Sequence, residues 1–498
     1  MWVDGAPRVA CVTPVRRLEG REITTLEGLS EDARVAWTDA LVGSGGSQCG
    51  FCTPGIVMRL AALADDGPAT PERVDQALLA HLCRCTGWQT VVEAATRVLG
   101  TAGEWNGAGD GPGPDPLAGG RDLGAAAARA TLEGGVPQVV GAEVVLGRAR
   151  FADDGAPREA LVAVVDGEDY AVDDTLAGAR ARSGKVQGRS TTAPLGHPVP
   201  VPDGEWVLTL ATGWVEPAYV EPDASWCTPG GEPASPYGNG GSFGGKLHSP
   251  VAADARRLAD AHGRAVRVLW SREDVVRRGP KRPPVGGGIA ADGTGVLRVG
   301  VSGGPLVGPR WEAAVEAVGV VAPGLVVEQV PVAGPKVDLD LRAAVWGEAA
   351  VLAAAARWGA PGTPVVDVPV EIVSPRGGRA VVRLVADGSV DVEVAAGEVL
   401  DAVVLRSYAI GAVHQALGWV RSEGIAVDAD GAVQDLTVRS FGILQARAMP
   451  EVTVRVADRD GPPVACSDAV FAAAAAAAWL ATGLVPQWPV DRAGAGRR

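Results

Sequence analysis

The sequence predicts a multidomain chain, a small all-α bundle followed by α+β domains, and three observations carry that expectation. Between residues 31 and 101, apolar residues recur at helical spacing around two close pairs of cysteines. Residues 102–135 are dominated by Gly, Ala, Pro and Asp with little periodicity; such composition buries too little surface to offset chain entropy, so a linker and a domain boundary are expected there. From Gly286 to Val399, short Val-rich stretches alternate with Ala-rich helical patterns such as 342–358, as in α+β layers.

The totals narrow the function. The chain has 498 residues, enough for about three domains. Its net charge of -14 argues against nucleic acid or an anionic membrane as partner, since phosphate-binding surfaces need a basic excess. The longest apolar run, Val470 to Leu484, is shorter than the roughly 20 residues of a membrane span and reads as a buried helix. No secretion-signal pattern opens the chain, and the cysteines are placed for a metal rather than spread as a disulfide framework, so a cytoplasmic location is expected.

Cys49 and Cys52 form C-x2-C, Cys83 and Cys85 form C-x-C, and thirty residues separate the pairs. Each pair supplies two ligands from one turn, the arrangement that four-thiolate coordination of one centre requires. Ala33, Trp37 and Leu41 predict a helix ahead of the first pair. After Cys52, Thr53 is expected to cap a helix with Pro54 at its first position and Ile56, Val57, Leu60 and Leu63 inward. Thr70-Pro71-Glu72 opens another, and Val91, Ala94, Ala95 and Val98 mark a fourth beyond a Thr86-Gly87 turn. The thiolates are thus expected near two helix N-termini, where unpaired N–H groups and the dipole favour negative charge. Spacing alone leaves zinc and a 2Fe-2S cluster both open.

The wording of the two pairs, Q-C-G-F-C-T-P-G from Gln48 to Gly55 and C-R-C-T-G from Cys83 to Gly87, resembles the helical 2Fe-2S domain of the xanthine dehydrogenase and aldehyde oxidase family, the molybdenum hydroxylases. The resemblance runs through about residues 5 to 100. It implies Cys49, Cys52, Cys83 and Cys85 as cluster ligands and Gln48 as a cofactor neighbour. Residues 1–30 resemble the last stretch of the plant-type ferredoxin domain that precedes it in the family, with Cys11 in the place of a ligand to a second 2Fe-2S cluster. Three partner cysteines would lie upstream of Met1, so that cluster is expected to be absent unless another chain supplies its ligands, through loss of the segment or an internal start codon, and Cys11 reads as an unpaired thiol at a strand end.

Four segments follow from this: 31–101 as the helical 2Fe-2S domain, 102–135 as linker, 136–235 as a shortened substrate-channel-like region and 236–498 as a molybdopterin-binding-like α+β region. In the third, Val144–Leu146 and Ala160–Val165 read as strands joined by a polar turn, and Gly147 to Asp154 (GRARFADD) resembles the opening of the family's large subunits. In the fourth, Tyr237 to Lys246 (YGNGGSFGGK) is a Gly-dense loop ahead of a helix through Ala255, Leu258 and Ala259. Taken alone it is a tight loop. Its resemblance to the family's molybdopterin loop makes Gly240, Gly241, Phe243, Gly244 and Gly245 candidate cofactor contacts, with Lys246 equally a surface residue or a phosphate ligand. Val266 to Asp274 reads as the strand and turn that follow. His262 reads as part of a helix C-terminus and His414 as a packed helix residue.

The end of the chain departs from the family. Where active members place a glutamate base, this chain has Gly461-Pro462-Pro463-Val464-Ala465-Cys466-Ser467-Asp468. Asp468 is expected to cap a helix from Ala469, and Cys466 reads equally as a buried thiol or a ligand. The catalytic residue is unknown; without a placed base, proton transfer loses a factor of about 10² to 10⁴. The resemblance implies electron transfer from a molybdopterin site through one 2Fe-2S cluster. It implies a small-molecule substrate of purine or aldehyde class and an external acceptor or flavin subunit. The alternatives are a 2Fe-2S protein with a degenerate molybdopterin region, and a protein in which the four cysteines hold a structural zinc.

Overall fold

The computed structural model describes residues 1–64, 69–100, 120–184, 193–457 and 459–491. The helical bundle forms where the periodicity places it. Ser30 accepts from the Ala33 N–H and starts the helix Glu31–Ser44, whose first turn carries Glu31 and Asp32 and whose end is Gly45 in the left-handed conformation. Thr70 caps Pro71–Leu78 in the same way. The helix Thr53–Ala61 begins one residue earlier than expected: Cys52, not Thr53, occupies the N-cap, and the Thr53 hydroxyl instead meets Ser47 Oγ at 2.9 Å. With Gln89–Leu99 these helices enclose Trp37, Leu41, Ile56, Leu60, Leu78, Trp88 and Val91.

Ahead of the bundle, Trp2–Val3, Ala6–Pro7 and Ile23–Thr24 make a small antiparallel sheet. Cys11 is exposed in a 3-10 turn, Ala10–Val12, rather than at a strand end. Residues 101–119, including most of the expected linker and Trp105, lie outside the described residues. The rest of that segment is not linker: Leu123–Gly134 is a helix capped by Asp122, with Ala126 and Ala130 packed on Val404 and Tyr408. Its small side chains give a close fit against a partner far along the chain, which local composition does not reveal. Val144 is likewise in a short helix, Ala142–Val145, instead of a strand; Val144 and Val145 bury against the bundle. Leu161–Asp166 is a strand as expected.

Beyond the bundle the fold is α+β. One four-stranded sheet orders Asp169–Asp173, Leu161–Asp166, Val266–Leu269 and Ala224–Cys227. A five-stranded sheet runs Leu325–Pro331, Gly295–Val301, Val285–Ile289, Leu208–Thr212 and Gln487–Trp488. Both sheets draw strands from either side of residue 235. A second four-stranded sheet, Val370–Val373, Arg379–Leu384, Val390–Ala395 and Val452–Val456, lies against the helix Ser467–Ala481, whose alanines allow the close approach. That helix packs on Ala402–Arg421, and Trp419, Phe471, Trp479 and Trp488 stack around their junction at centroid distances of 4.7 to 5.5 Å. Among the described residues no helix is long and apolar enough to cross a membrane.

The Ala402–Arg421 helix positions the site. One side belongs to the core of the α+β region, and the other receives the bundle. Gln48 Nε2 donates to Ser407 Oγ at 2.8 Å, Arg406 pairs with Glu93 at 2.6 Å, and Gln415 Nε2 donates to Arg84 O at 3.0 Å. Gly411 lies under Cys85, where an added Cβ would stand 1.8 Å from the Cys85 carbonyl oxygen.

Candidate metal centre

The two cysteine turns converge at the face of the bundle that meets this helix. Gly50, at φ +84°, turns the chain between Cys49 and Cys52 where a Cβ would strike Val144. Cys49, Cys83 and Cys85 are buried and Cys52 is half-buried. The sulfurs associate across the turns: Cys49 and Cys85 meet beneath Gly241, where an added Cβ would stand 3.1 Å from each sulfur, and electrostatically Cys49 acts most strongly on Cys85 and Cys52 on Cys83. Between Cys52 and Cys83 the electrostatics are lopsided. The Cys52 contact pulls the Cys83 thiol down to about 6, the Thr86 hydroxyl helping against burial, whereas the thiols of Cys52 and Cys85 are pushed up by their partners and by burial.

This pairing bears on the metal. A tetrahedral zinc at about 2.3 Å from each sulfur brings all four within roughly 4 Å of one another. Among the described residues, the three metal-capable side chains that come mutually within 4.8 Å are His248, Asp338 and Asp340, where Arg310 already supplies a cation to both carboxylates. No three of the four cysteine sulfurs, all among the described residues, meet that condition. Two couples of sulfur, each drawn from both turns, match two metal ions with two thiolates apiece, which is the ligand geometry of a 2Fe-2S centre.

Arg84, between the last two cysteines, points away from them. Its guanidinium makes a two-pronged bond to Glu423 at 2.6 Å on each oxygen, and its Nε donates to Pro217 O at 3.2 Å. Beyond this pair is a cavity of about 40 Å³ bordered by Phe243, Arg342, Trp419 and Phe471, room for one or two waters.

The residues expected at a second cofactor are occupied with the protein itself. Gln48 joins Ser407, and its carbonyl accepts from Asn239 Nδ2 at 3.1 Å. A Cβ would meet Gln138 from Gly240, the Cys49 and Cys85 side chains from Gly241, the Asp340 carbonyl from Gly244, and the Tyr219 ring from Gly245. Phe243 holds φ +51° with the Arg342 guanidinium 4.9 Å from its ring centre. The glycines are therefore accounted for by close packing. Lys246 is neither at the surface nor free for a phosphate: it is buried and pairs with Glu221 at 2.6 Å. Asp468 does not cap its helix, which starts at Ser467 with Cys466 at the N-cap; Asp468 pairs with Arg342 at 3.2 Å. Cys466 is a buried thiol, its Sγ bonded to Ala395 O and its pKa pushed up to about 12 by burial. His262 ends its helix and His414 is packed, as the sequence suggests.

Thr86, Arg84, Gly411 and Glu423 are the site residues that sequence reasoning passes over. Thr86 and Arg84 stand inside the C-R-C-T-G word itself. Gly411 and Glu423 carry no local signal, because their roles depend on contacts more than 320 positions away.

A family model described as the [2Fe-2S] binding domain matches residues 25–96. The match places a 2Fe-2S-binding domain within the first fifth of the chain. Among curated proteins it is similar to the nicotine 6-hydroxylase small subunit of Paenarthrobacter nicotinovorans, 42% identical over 106 residues, and to a probable xanthine dehydrogenase subunit of Bacillus subtilis, 36% identical over 97 residues. These matches cover 21% and 19% of this chain and 64% and 56% of the two relatives, so the likeness spans less than two thirds of either. The aldehyde oxidoreductase of Desulfovibrio gigas has the same fold, with a TM-score of 0.67 at 12% identity over 98% of this chain and 93% of that one. The one from Desulfovibrio desulfuricans gives 0.63 at 13%, over 96% and 92%. The matched domain supports a 2Fe-2S cluster.

Proposed function

We propose that Cys49, Cys52, Cys83 and Cys85 hold one 2Fe-2S cluster, and that the chain is the electron-carrying part of an oxidoreductase of the molybdenum hydroxylase type. The carrying observation is the convergence of the two cysteine turns, which brings Cys49 and Cys85 together under Gly241 while no three of the four sulfurs come close enough to share one ion. The cluster supplies one-electron chemistry. The chain's own residues bury three of its ligands and leave Cys52 half-buried, set the helix N-terminus of Thr53–Ala61 beside Cys52, and dock the bundle on the Ala402–Arg421 helix. Electrons from oxidation of a small molecule, of the class named in the relatives, would pass to an external acceptor or a flavin subunit. The division into 1–30, 31–101, 102–135, 136–235 and 236–498 belongs to this reading, with the last two segments sharing sheets, as does a cytoplasmic location.

A second reading, in which the region after the bundle is a non-catalytic scaffold, is favoured by the tight seating of the glycine loop and by the engagement of Asp468 with Arg342. Metal analysis of the full chain, expressed in a host that makes both cofactors, separates the two. About two irons with acid-labile sulfide per chain and molybdenum near one per chain support the enzyme; iron without molybdenum supports the scaffold. Zinc in a colourless protein would overturn both.

A further inference from the structure

The Cys83 sulfur has a hydroxyl against it. Thr86 Oγ1 lies 3.1 Å from Cys83 Sγ in a buried setting. A thiolate that ligates iron has no proton to give, so the hydroxyl must be the donor. Thr86 is free to do so, because its oxygen accepts from the Trp88 N–H at 3.4 Å and its own proton is left for sulfur. Reduction adds one negative charge to the centre and strengthens every bond donated to its sulfurs, so a donor stabilises the reduced form more than the oxidised one. Cys52, the partner of Cys83, is also the half-buried ligand of the four, where water assists in the same direction.

We propose that Thr86 is a potential-setting residue, its hydroxyl donating to Cys83 Sγ and making the Cys52–Cys83 end of the centre the easier end to reduce. This rests on the reading that the four cysteines hold a 2Fe-2S cluster. The exchange is of a single electron with a one-electron carrier of iron–sulfur or flavin class; no covalent bond forms or breaks, and the proton stays on Thr86 Oγ1.

The test is a redox titration of the full-length, cluster-loaded chain with dithionite, followed by electron paramagnetic resonance. Thr86→Val, which keeps the shape and removes the donor, is expected to lower the midpoint by about tenfold in the reduced-to-oxidised ratio at fixed potential, which is about 59 mV for one electron. Thr86→Ser should restore the native midpoint. Thr90→Val is the control, since the Thr90 hydroxyl is buried nearby without a partner, and its midpoint should not move. An unchanged midpoint in Thr86→Val, or an equal fall in Thr86→Ser, overturns the proposal. So does failure of both Thr86→Val and Thr86→Ala to keep a cluster, which would make the residue structural. An unsubstituted chain with no iron overturns the underlying reading instead.

Discussion

Cys83 and His414 show how far single side chains determine behaviour. On the proposed ligand set, Cys83→Ala removes a buried ligand and should abolish the visible iron–sulfur spectrum of the chain. Cys11→Ser, at an exposed turn remote from the four sulfurs, should leave that spectrum unchanged. His414 donates from Nε2 to Leu444 O at 3.0 Å, while its Nδ1 is buried without a partner, so a second proton there would sit in a dry site beside the Arg84 charge. Burial accordingly pushes its pKa down to about 4, against an ordinary value of about 6.5. Because the folded pKa lies below the unfolded one, the unfolded chain binds the extra proton first. The stabilisation is full above pH 6.5 and is lost as pH falls toward 4, roughly 3 kcal/mol in all. Denaturant midpoints between pH 7 and 4 should trace that loss, and His414→Gln should flatten it. At this scale the sequence is informative: the four cysteines stand in a specific word. What it hides is which sulfur joins which, because adjacent ligands part company and the couples form between turns.

Helices are legible from period and caps wherever they bury one face, as in Glu31–Ser44 and Pro71–Leu78. They are misread where the partner is remote. The N-terminus of Ser467–Ala481 is held by Glu133, whose carboxylate accepts from the N–H of Cys466 at 3.1 Å and of Ser467 at 2.8 Å across more than 330 positions, with Arg129 beside it at 3.2 Å. A negative charge at a helix N-terminus answers both the open N–H groups and the dipole. Glu133 sits in a segment whose composition reads as linker, so nothing local announces the contact. Glu133→Gln keeps the shape but loses the charge opposite Arg129, and should cost about 1 to 3 kcal/mol, measured as a fall in denaturant midpoint. The glycine loop is misread for a related reason. Its glycines look like an opening for a ligand, and in the fold the space they leave is taken by Gln138, Cys49, Asp340 and Tyr219.

On the scale of the molecule, the bundle and the α+β region are tied by ionic and polar contacts that converge on one helix. The buried Arg84–Glu423 pair is part of this joint, and Arg84→Met would strand Glu423, at a cost of about 3 to 5 kcal/mol. Because the metal site lies at the same joint, stripping the cluster should lower the thermal midpoint of the whole chain in one transition rather than melt the bundle alone. A calorimetric scan of loaded and stripped protein checks this. The seating of Gly241 on Cys49 and Cys85 carries a further consequence for iron exchange. With that backbone in place Cys49 and Cys85 are covered, so iron should exchange at those two sulfurs only when the glycine segment moves. A chelator present during refolding should then leave the protein apo, whereas the same chelator added to finished protein should remove iron slowly.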